Sequence, residues 1–432
     1  MKLTQYKLGQ LLNITRGASL SGEYYATEGE HIRLTLGHFD YVNGGFKENT
    51  SKDNLYFTGD VKEEFILKKG DIITPLTEQT FGLIGSTAII PESGKYIQSQ
   101  DIGLVKCNEE LLYSGFCYYL LPTQLVKAQL SAGAQQTSIR HTSPDKIKYC
   151  TVFIPSLSEQ KRIANLLSYV DKKISINRQI NRDLEALAKQ IYDYWFVQFD
   201  FPDENGKPYK SSGGKMVWND VLNYSIPSEW SECDLNYYIG RITNGLNPRK
   251  NFVLGSGNNY YVTIRSLVGT DIDWNNCDRC DNEALKKINS RSQLQIGDVI
   301  FSAIGTIGRT YFIQEDPSDW NISETSFTLR ARGNVSPYFF YALLRSEGIQ
   351  KNADKKAMGS TLRCLVMDSF CKIPTIKVSD KIIAKFAERV KPIYQKIYGI
   401  NKENRLLIKQ RNELLPLLMN GQVTVNPDLS ND

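Results

Sequence analysis

Histidine is scarce in this chain, which has only three in 432 residues. They are His31, His38 and His141, all in the first half, and the second half has none. Histidine is the side chain used most often for general acid–base catalysis near neutral pH. A histidine-dependent mechanism therefore cannot be shared by the two halves of the chain.

Motifs that bind phosphate or metal are also missing. The sequence has neither a Walker phosphate loop nor a dinucleotide glycine fingerprint. The segments Gly82–Gly85 and Gly305–Gly308 are too short for either and predict tight turns. Cys277 and Cys280 have zinc-knuckle spacing, but a structural zinc site needs a second ligand pair, which is not nearby. We expect the eight cysteines to be free thiols and predict no metal site.

Long apolar runs are absent as well. No segment approaches the roughly 20 residues that span a bilayer, and the start MKLTQYKLGQ lacks the apolar part of a signal peptide. A content of 41% hydrophobic and 23% charged residues is that of a globular protein, and the net charge of +5 permits nucleic-acid binding without requiring it. We expect an intracellular protein of two or three domains, because this length exceeds one hydrophobic core.

What the sequence does contain is a tandem repeat, in which landmarks recur about 220 residues apart in the same order. Ile14–Gly17 returns as Ile242–Gly245, and Gly70–Ile73 returns as Gly297–Ile300. The other matched pairs are Gly82–Thr87 and Gly305–Thr310, Phe116–Leu121 and Phe339–Leu344, Ser138–Arg140 and Thr361–Arg363, and Ile154-Pro155 and Ile373-Pro374. A duplicated domain is the simplest origin of this ordered series.

Each repeat begins with short strand-like runs, such as Asp71–Thr74 and Val299–Ser302, separated by turn residues. One amphipathic helix per repeat is predicted near 111–130 and 336–351. The fold class is therefore α+β, with two tandem, pseudo-repeated mixed α/β domains.

A long helix with a seven-residue apolar repeat follows each domain. In the first, the a positions are Ile163, Val170, Asn177, Leu184 and Ile191, and the d positions are Leu166, Lys173, Ile180, Leu187 and Tyr194. In the second, the a positions are Ile383, Val390, Ile397, Asn404, Arg411 and Leu418, and the d positions are Phe386, Ile393, Ile400, Leu407 and Leu414. We predict that the two helices pair as an antiparallel coiled coil rather than lying in a globular core.

Two details refine the helix pair. Asn177 and Asn404 stand at a positions, where a buried amide fixes register at a cost in stability, although both could also be tolerated surface residues. Pro392 should bend the second helix or mark its true start. The predicted boundaries are 1–155 for the first domain, 156–198 for the central helix, 199–229 for a linker, 230–375 for the second domain, 376–421 for the C-terminal helix and 422–432 for a tail.

Several motifs occur together at the joints of this arrangement. Ile154-Pro155 is followed after a short gap by Glu159-Gln160 and an apolar helix that contains Asp171. Ile226–Trp230 precedes the second domain, and Leu406–Gly421 closes the second helix. In this combination the chain resembles the specificity subunits of type I restriction-modification systems over nearly its whole length. It departs from the family pattern at Ser379-Asp380-Lys381, where the second helix lacks the Glu-Gln pair.

The resemblance implies two target-recognition domains that read the halves of a bipartite site in double-stranded DNA. The helices would set the separation of the half-sites and dock two modification subunits. It implies a non-catalytic, cytoplasmic subunit that binds no cofactor itself. The modification subunits would methylate adenine N6 with S-adenosylmethionine, and the restriction subunits would use ATP and Mg for translocation and cleavage.

DNA contacts are expected from loops with polar and basic side chains, because Gln pairs well with adenine, Arg pairs well with guanine, and Lys and Arg hold phosphates. The candidates in the first domain are Arg16, Gln79, Thr80, Gln135, Gln136, Ser138 and Arg140. Those in the second are Arg249, Lys250, Arg265, Arg309, Lys355, Lys356 and Arg363. Because Gln79 and Thr80 lie in a stretch that the second domain lacks, the two domains should read different half-sites.

Other interpretations stay open at this point. Arg140 and Arg363 could brace each domain against its helix instead of contacting bases. The whole chain could be a coiled-coil adaptor between proteins that never touches DNA, which salt-sensitive DNA binding would distinguish. A zinc-dependent hydrolase would require metal retained by the purified chain.

Overall fold

A computed structural model describes residues 1–40, 44–78, 82–132, 140–249, 251–360 and 362–426. Contacts between residues divide the chain into two units, each built from separate parts of the sequence. The first unit consists of residues 1–175 and 405–432, and the second of residues 176–404. The boundary falls inside both long helices, so each unit contains a segment of each helix.

The first unit contains two four-stranded sheets. One is antiparallel, in the order Leu12–Arg16, Ile102–Cys107, Ile72–Pro75 and Ala88–Ile89. The other has the order Tyr25–Ala26, Tyr56–Phe57, His31–Arg33 and Tyr96–Ile97, and its last pair is parallel. Residues in or beside the strands of both sheets form one buried apolar cluster, which includes Leu34, Ile73 and Leu104.

The second unit repeats this plan. Its four-stranded antiparallel sheet has the order Ile239–Asn244, Ser326–Ala331, Val299–Ser302 and Thr310–Phe312. A three-stranded sheet follows the order Asp278–Cys280, Asn259–Val262 and Trp320–Ile322, again with a parallel last pair. The equivalent strand orders confirm the predicted tandem α+β repeat.

Shorter elements complete both units. The strand pairs are Thr4–Lys7 with Thr151–Ile154, Thr77–Glu78 with Arg140–His141, Met216–Asn219 with Tyr224–Pro227, Ser231–Asp234 with Pro374–Lys377, and Leu267–Val268 with Asp271–Ile272. The short helices are Leu8–Leu11, Pro144–Lys148, Asn282–Ser292 and Met367–Cys371. The 3-10 turns are Gly22–Tyr24, Leu36–His38, Glu63–Phe65, Leu235–Tyr238, Ile264–Ser266 and Trp274–Asn276.

Each predicted amphipathic helix is in fact two helices. The first unit has Ser114–Leu120 and Gln124–Ala132, and the second unit has Pro337–Arg345 and Glu347–Lys356. Pro122 separates the first two, because it has no N–H with which to continue the helical hydrogen bonds, although Leu121 before it keeps helical backbone. Ser346 adopts extended backbone, and its side chain caps the next helix at the Ile349 N–H.

The central helix spans Leu157–Phe196 and the C-terminal helix spans Asp380–Met419, each with 40 residues. Pro392 does not mark the start of the C-terminal helix, which is continuous through it. Pro392 is exposed, so water can bind the carbonyl that its missing N–H leaves unpaired. None of the described helices is apolar over a length that could cross a membrane.

The predicted a positions face inward, but most d positions of the central helix do not. Lys173, Ile180, Leu187 and Tyr194 are exposed. The second buried row comes four residues after each a position instead of three, and it consists of Leu167, Ile174, Asn181, Ala188 and Trp195. The second row of the seam therefore lies one residue later than the predicted d positions. Apolar residues stand in both candidate rows, and tertiary packing determines which row is buried.

Similar corrections apply to the C-terminal helix. Leu414 is exposed and Leu407 is half-buried, whereas Tyr394 and Asn401 are buried. Both helices also pack into the domain cores, contrary to the prediction of a separate coiled coil. In the first unit, Ile163 and Leu167 share a cluster with Leu418 and the N-terminal strands. In the second unit, Trp195, Phe386 and Val390 share a cluster with Phe301 and Phe339.

Antiparallel pairing of the two helices is visible in two asparagine contacts within the second unit. Asn177 Nδ2 donates to Asn404 Oδ1 at 3.0 Å and to Glu403 at 2.7 Å. Asn181 Nδ2 donates to Asn401 Oδ1 at 2.6 Å. All four asparagines are buried. The prediction that Asn177 and Asn404 bury their amides in the seam is thus confirmed, and a hydrogen bond joins them.

The segment predicted to be a linker contributes to the core of the second unit. Phe199, Phe201 and Ile226 are buried there beside Trp230, whose ring stacks on that of Phe201 at 4.7 Å. Burial of its aromatic side chains therefore determines the structure of this segment, although its Pro, Gly and Ser content is typical of a linker. The remaining predicted domain boundaries stay predictions.

Candidate nucleic-acid interface

In the first unit, one short strand pair joins the residues that flank the two candidate loops. Thr77–Glu78 pairs with Arg140–His141, with Glu78 opposite Arg140. Gln79 and Thr80 follow Glu78 directly, and Gln135, Gln136 and Ser138 precede Arg140. These five residues lie outside the described residues, and Arg140 is described only by its backbone. The pairing therefore joins the two segments that the sequence selected separately.

Glu78 anchors one of these segments. It is buried, and its Oε2 accepts three consecutive backbone N–H bonds, from Gly82 at 3.0 Å, Leu83 at 2.9 Å and Ile84 at 3.0 Å. Lys127 Nζ donates to the Gly82 carbonyl at 2.9 Å, and burial lowers the pKa of this lysine. Gly82 and Gly85 have φ near +95° and +86°, which glycine adopts without strain. A carboxyl group thus fixes the predicted tight turn.

The second unit makes the equivalent connection. The Gly305 N–H donates to the Arg363 carbonyl at 2.8 Å, and the Leu365 N–H donates to the Ala303 carbonyl at 2.8 Å. Gly305 and Gly308 again have positive φ, at 83° and 89°. The glycine turn and the segment that carries the arginine therefore lie together in both units.

Arg363 is engaged within its own unit. Its guanidinium binds both the carboxylate and the backbone carbonyl of Asp354, in the helix Glu347–Lys356. This contact holds the arginine loop to a helix of the same unit, and the DNA contact of Arg363 stays a prediction. Lys355 is exposed and Lys356 is half-buried at the end of the same helix.

Arg309 and Arg265 lie next to each other in structure but play different parts. Arg309 Nη1 donates to the carbonyls of Ile264 at 3.0 Å and Leu267 at 3.1 Å. These two residues flank Arg265, whose side chain is exposed. The contacts thus run from the turn at 264–267 through Arg309 to the glycine turn and on to Arg363.

The remaining candidates are more isolated. Arg16 is exposed at the end of strand Leu12–Arg16, and Arg249 is exposed in a turn that Asn247 ties to Glu324 at 2.7 Å. Lys250 lies outside the described residues. The contacts of the described residues do not link Arg249 to Arg265, so the DNA-contact assignments of these residues stay predictions.

The Glu-Gln pair at the start of the central helix joins the helix to its domain. Gln160 is buried, accepts the Tyr113 N–H at 2.9 Å, and donates to the carbonyls of Leu111 at 3.0 Å and Pro155 at 2.9 Å. Gln160 is therefore fully used inside the protein and is not a surface recognition residue.

One ion-pair network ties the helices in the first unit. Asp171 accepts from Arg411 Nη1 at 2.7 Å and from the Tyr119 hydroxyl at 2.7 Å. Burial, with the neighbouring Asp171 carboxylate, raises the pKa of Tyr119 far above its ordinary range. The phenol therefore stays a hydrogen-bond donor at physiological pH.

Sequence reasoning missed three positioning groups: Glu78, the Asn181–Asn401 pair and Asp171 with Arg411. Asn181 and Asn401 stand at the same distance after Ile163 and Ile383, so the repeat itself could have revealed them. Glu78 carries no such signal, since its role depends on which backbone N–H groups come within reach.

Metal-ligand geometry offers no competing site in the part of the chain that the structure describes, where no cluster of three His, Cys, Asp or Glu is arranged to hold an ion. The eight cysteines are free thiols. Burial raises the pKa of Cys277 to about 11, which disfavours the thiolate that zinc requires.

Comparison with known proteins converges on one family. Residues 2–186 match the family model described as a type I restriction modification DNA specificity domain. The MjaIX specificity subunit of Methanocaldococcus jannaschii is 26% identical over 315 residues, which cover 72% of this chain and 69% of that protein. The EcoBI specificity subunit of Escherichia coli is 23% identical, covering 98% of this chain and 87% of that protein.

The fold is also shared with a solved structure. The crystal structure of the type I restriction-modification S subunit from M. genitalium superposes with a TM-score of 0.55 at 17% identity, covering 97% of this chain and 96% of that chain. At this identity the likeness concerns the fold, which agrees with the tandem arrangement of sheets and long helices. Residues 2–186 thus match the specificity-domain family of type I restriction-modification systems, and over nearly its whole length the chain is similar to specificity subunits of such systems.

Proposed function

We propose that the chain is the DNA sequence-specificity subunit of a type I restriction-modification complex and that each unit reads one half of a bipartite site. The observation that carries this proposal is the repeated joining of a glycine turn to an arginine loop. Two related protein surfaces, each presenting polar and basic residues, suit two short DNA sequences read in the same manner.

Differences between the two surfaces support different half-sites. The first unit has Glu78 at the base of its turn, whereas the second has Arg309 just after its turn. The first also has the additional residues Gln79 and Thr80. Because bases are distinguished by the donors and acceptors of side chains, unequal loops read unequal sequences.

The chain itself acts by binding rather than by chemistry. We infer that partner modification subunits methylate adenine at N6 with S-adenosylmethionine, and that restriction subunits use ATP and Mg for translocation and cleavage. This division of labour fits the family, whose named members are specificity subunits. A protein that binds bacterial DNA together with these partners would lie in the cytoplasm.

An exposed apolar row on the central helix is a suitable docking surface for the modification subunits. Within the second unit it consists of Ile176, Ile180, Leu187 and Tyr194, which are between 38% and 48% exposed. Three of these are the predicted d positions that do not face the C-terminal helix. A row at heptad spacing that remains uncovered is complementary to an apolar helix of a partner.

Mapping N6-methyladenine in bacterial genomes tests the function. A host lacking other adenine methylation would express the chain with its modification subunits, and control cells would express the modification subunits alone. We expect methylation at one bipartite motif that requires this chain. Methylation that does not depend on the chain, or a motif without two separated halves, would contradict the proposal.

A further inference from the structure

Arg265 stands apart from the other candidate arginines of the second unit. It lies in the middle of the turn Ile264–Ser266, its side chain is exposed, and it makes no hydrogen bond or ion pair with any residue that the structure describes. By contrast, the Arg309 guanidinium donates to backbone carbonyls, and the Arg363 guanidinium binds Asp354. The five N–H donors of Arg265 are thus available to an acceptor outside the protein.

The backbone that carries Arg265 is held firmly from several sides. Arg309 donates to the carbonyls on both flanks, Ser266 Oγ donates to the Asn276 carbonyl at 3.1 Å, and the Asp273 N–H donates to the Ser266 carbonyl at 2.8 Å. Ser266 is fully buried. A fixed backbone lowers the entropy lost when the side chain binds its target, which favours selective recognition.

The first unit has a different group at the equivalent position. Its matching turn is Leu36–His38, which likewise follows a strand and a threonine, and Gly37 corresponds to Arg265. A Cβ on Gly37 would lie 2.4 Å from Asn49 Nδ2, which instead donates to Thr35 Oγ1 at 2.9 Å. A side chain at this position of the first unit would have to displace Asn49 from Thr35, whereas the second unit displays a guanidinium there.

We propose that Arg265 is a specificity-determining residue that reads a guanine in the half-site of the second unit, with Arg309 as its positioning residue. The inference rests on the proposed function. Paired guanidinium N–H groups match the O6 and N7 acceptors of guanine in the major groove, which is the commonest specific contact of arginine with DNA. A fixed turn supports such a directed contact, whereas a phosphate contact needs only charge.

Two substitutions test this assignment in the full chain, expressed with its modification subunits and read out by methylation mapping. Arg265→Ala should make one specified guanine of one half-site degenerate and leave the other half-site unchanged. In competition binding of the purified complex, preference for that guanine should fall about ten- to a hundredfold. Arg265→Gln should move the preference at that position toward adenine, which glutamine pairs well.

The unchanged half-site serves as an internal control for folding, and Lys286→Ala, an exposed charge on the helix Asn282–Ser292, serves as the matched control. Arg309→Ala should relax the same base position and no other. A purely structural role for Arg309 would instead lower methylation at all sites without changing the motif.

Three results would overturn the inference while leaving the proposed function intact. The wild-type motif could lack a specified G·C pair in one half, both variants could keep the wild-type motif, or Arg265→Ala could weaken all duplexes equally. The last result, with a salt slope reduced by about one, would identify a phosphate contact. Failure of the proposed function looks different, since the wild-type chain would then direct no bipartite methylation.

Discussion

At the scale of single residues, each unit fixes one of its turns with a charged side chain, although the two turns are not equivalent and the two charges are opposite. In the first unit, the Glu78 carboxyl group accepts backbone N–H bonds, and in the second, the Arg309 guanidinium donates to backbone carbonyls. Both satisfy polar backbone groups in segments that form no regular ladder. A charged residue beside a candidate DNA-facing loop is therefore not necessarily a DNA contact.

Replacing Glu78 tests its role as an anchor. Glu78→Ala should lower the free energy of unfolding by about 2 kcal/mol, because it leaves partly or fully buried N–H groups of the turn without an acceptor. Urea denaturation of the purified chain measures this change. The base preferences of only one half-site should relax, since the substitution loosens only the first unit's turn. Glu30→Ala, at an exposed glutamate, is the control and should change neither quantity.

At the scale of elements, the inward-facing residues of the two long helices make two kinds of contact, one with the domain cores and one between the helices. Their inward rows pack into the domain cores and meet at the asparagine pairs, while Ile180 and Leu187 remain exposed. Heptad spacing alone could not assign these rows, because both of them are mostly apolar. The contacts made by the rest of each unit decide which row is buried.

The Asn177–Asn404 contact should show strong energetic coupling. Asn177→Leu alone should reduce the free energy of unfolding by about 1–3 kcal/mol, since it leaves the buried Asn404 amide without its partner. Adding Asn404→Leu should recover much of this loss, because two apolar residues can pack in the seam, though they specify its register less well. A double-mutant cycle by urea denaturation measures the coupling. Additive losses would mean that the two amides act independently.

The exposed apolar row should be needed for assembly but not for folding. Ile180→Glu with Leu187→Glu should leave the thermal unfolding of the isolated chain within a few degrees of wild type. Affinity for the modification subunits should fall about tenfold or more, because docking would bury unpaired carboxylates. Copurification and titration calorimetry measure this loss. Arg182→Glu, on another exposed part of the same helix, is the matched control, and an equal loss with it would contradict docking at the row.

Much of this architecture could be predicted from the sequence because the repeat supplies an internal comparison. The ordered landmarks gave the α+β duplication, and the two long helices follow from apolar periodicity. The split of each amphipathic helix at Pro122 and Ser346 was missed, as was the packing of Phe199 and Phe201 into a core. These features depend on tertiary contacts, which override local composition.

The candidate site was predictable in outline only. Loop composition identified the glycine turns and arginine loops, and the structure joins them in each unit. Composition could not separate Arg265, which has no partner among the described residues, from Arg363, which binds Asp354. That distinction requires the distance between a guanidinium and acceptors far away in the sequence.

At the scale of the whole molecule, each unit has its own sheets and apolar clusters. Changes in the two units should therefore act separately on DNA recognition. Combining Glu78→Ala with Arg265→Ala should relax both half-sites, each to the degree seen in the single variant, because the effects of residues without shared partners add. Methylation mapping of the single and double variants measures this. Relaxation well beyond the sum would show that the two half-sites are read cooperatively.

The antiparallel helix pairing also has a consequence for synthesis. Asn177 and its partner Asn404 are 227 residues apart, which the ribosome translates in about 10–45 s. During that interval the inward face of the central helix has no C-terminal helix to cover it. A chain released early keeps this polar and apolar face exposed, so premature termination yields a product open to chaperones and proteases.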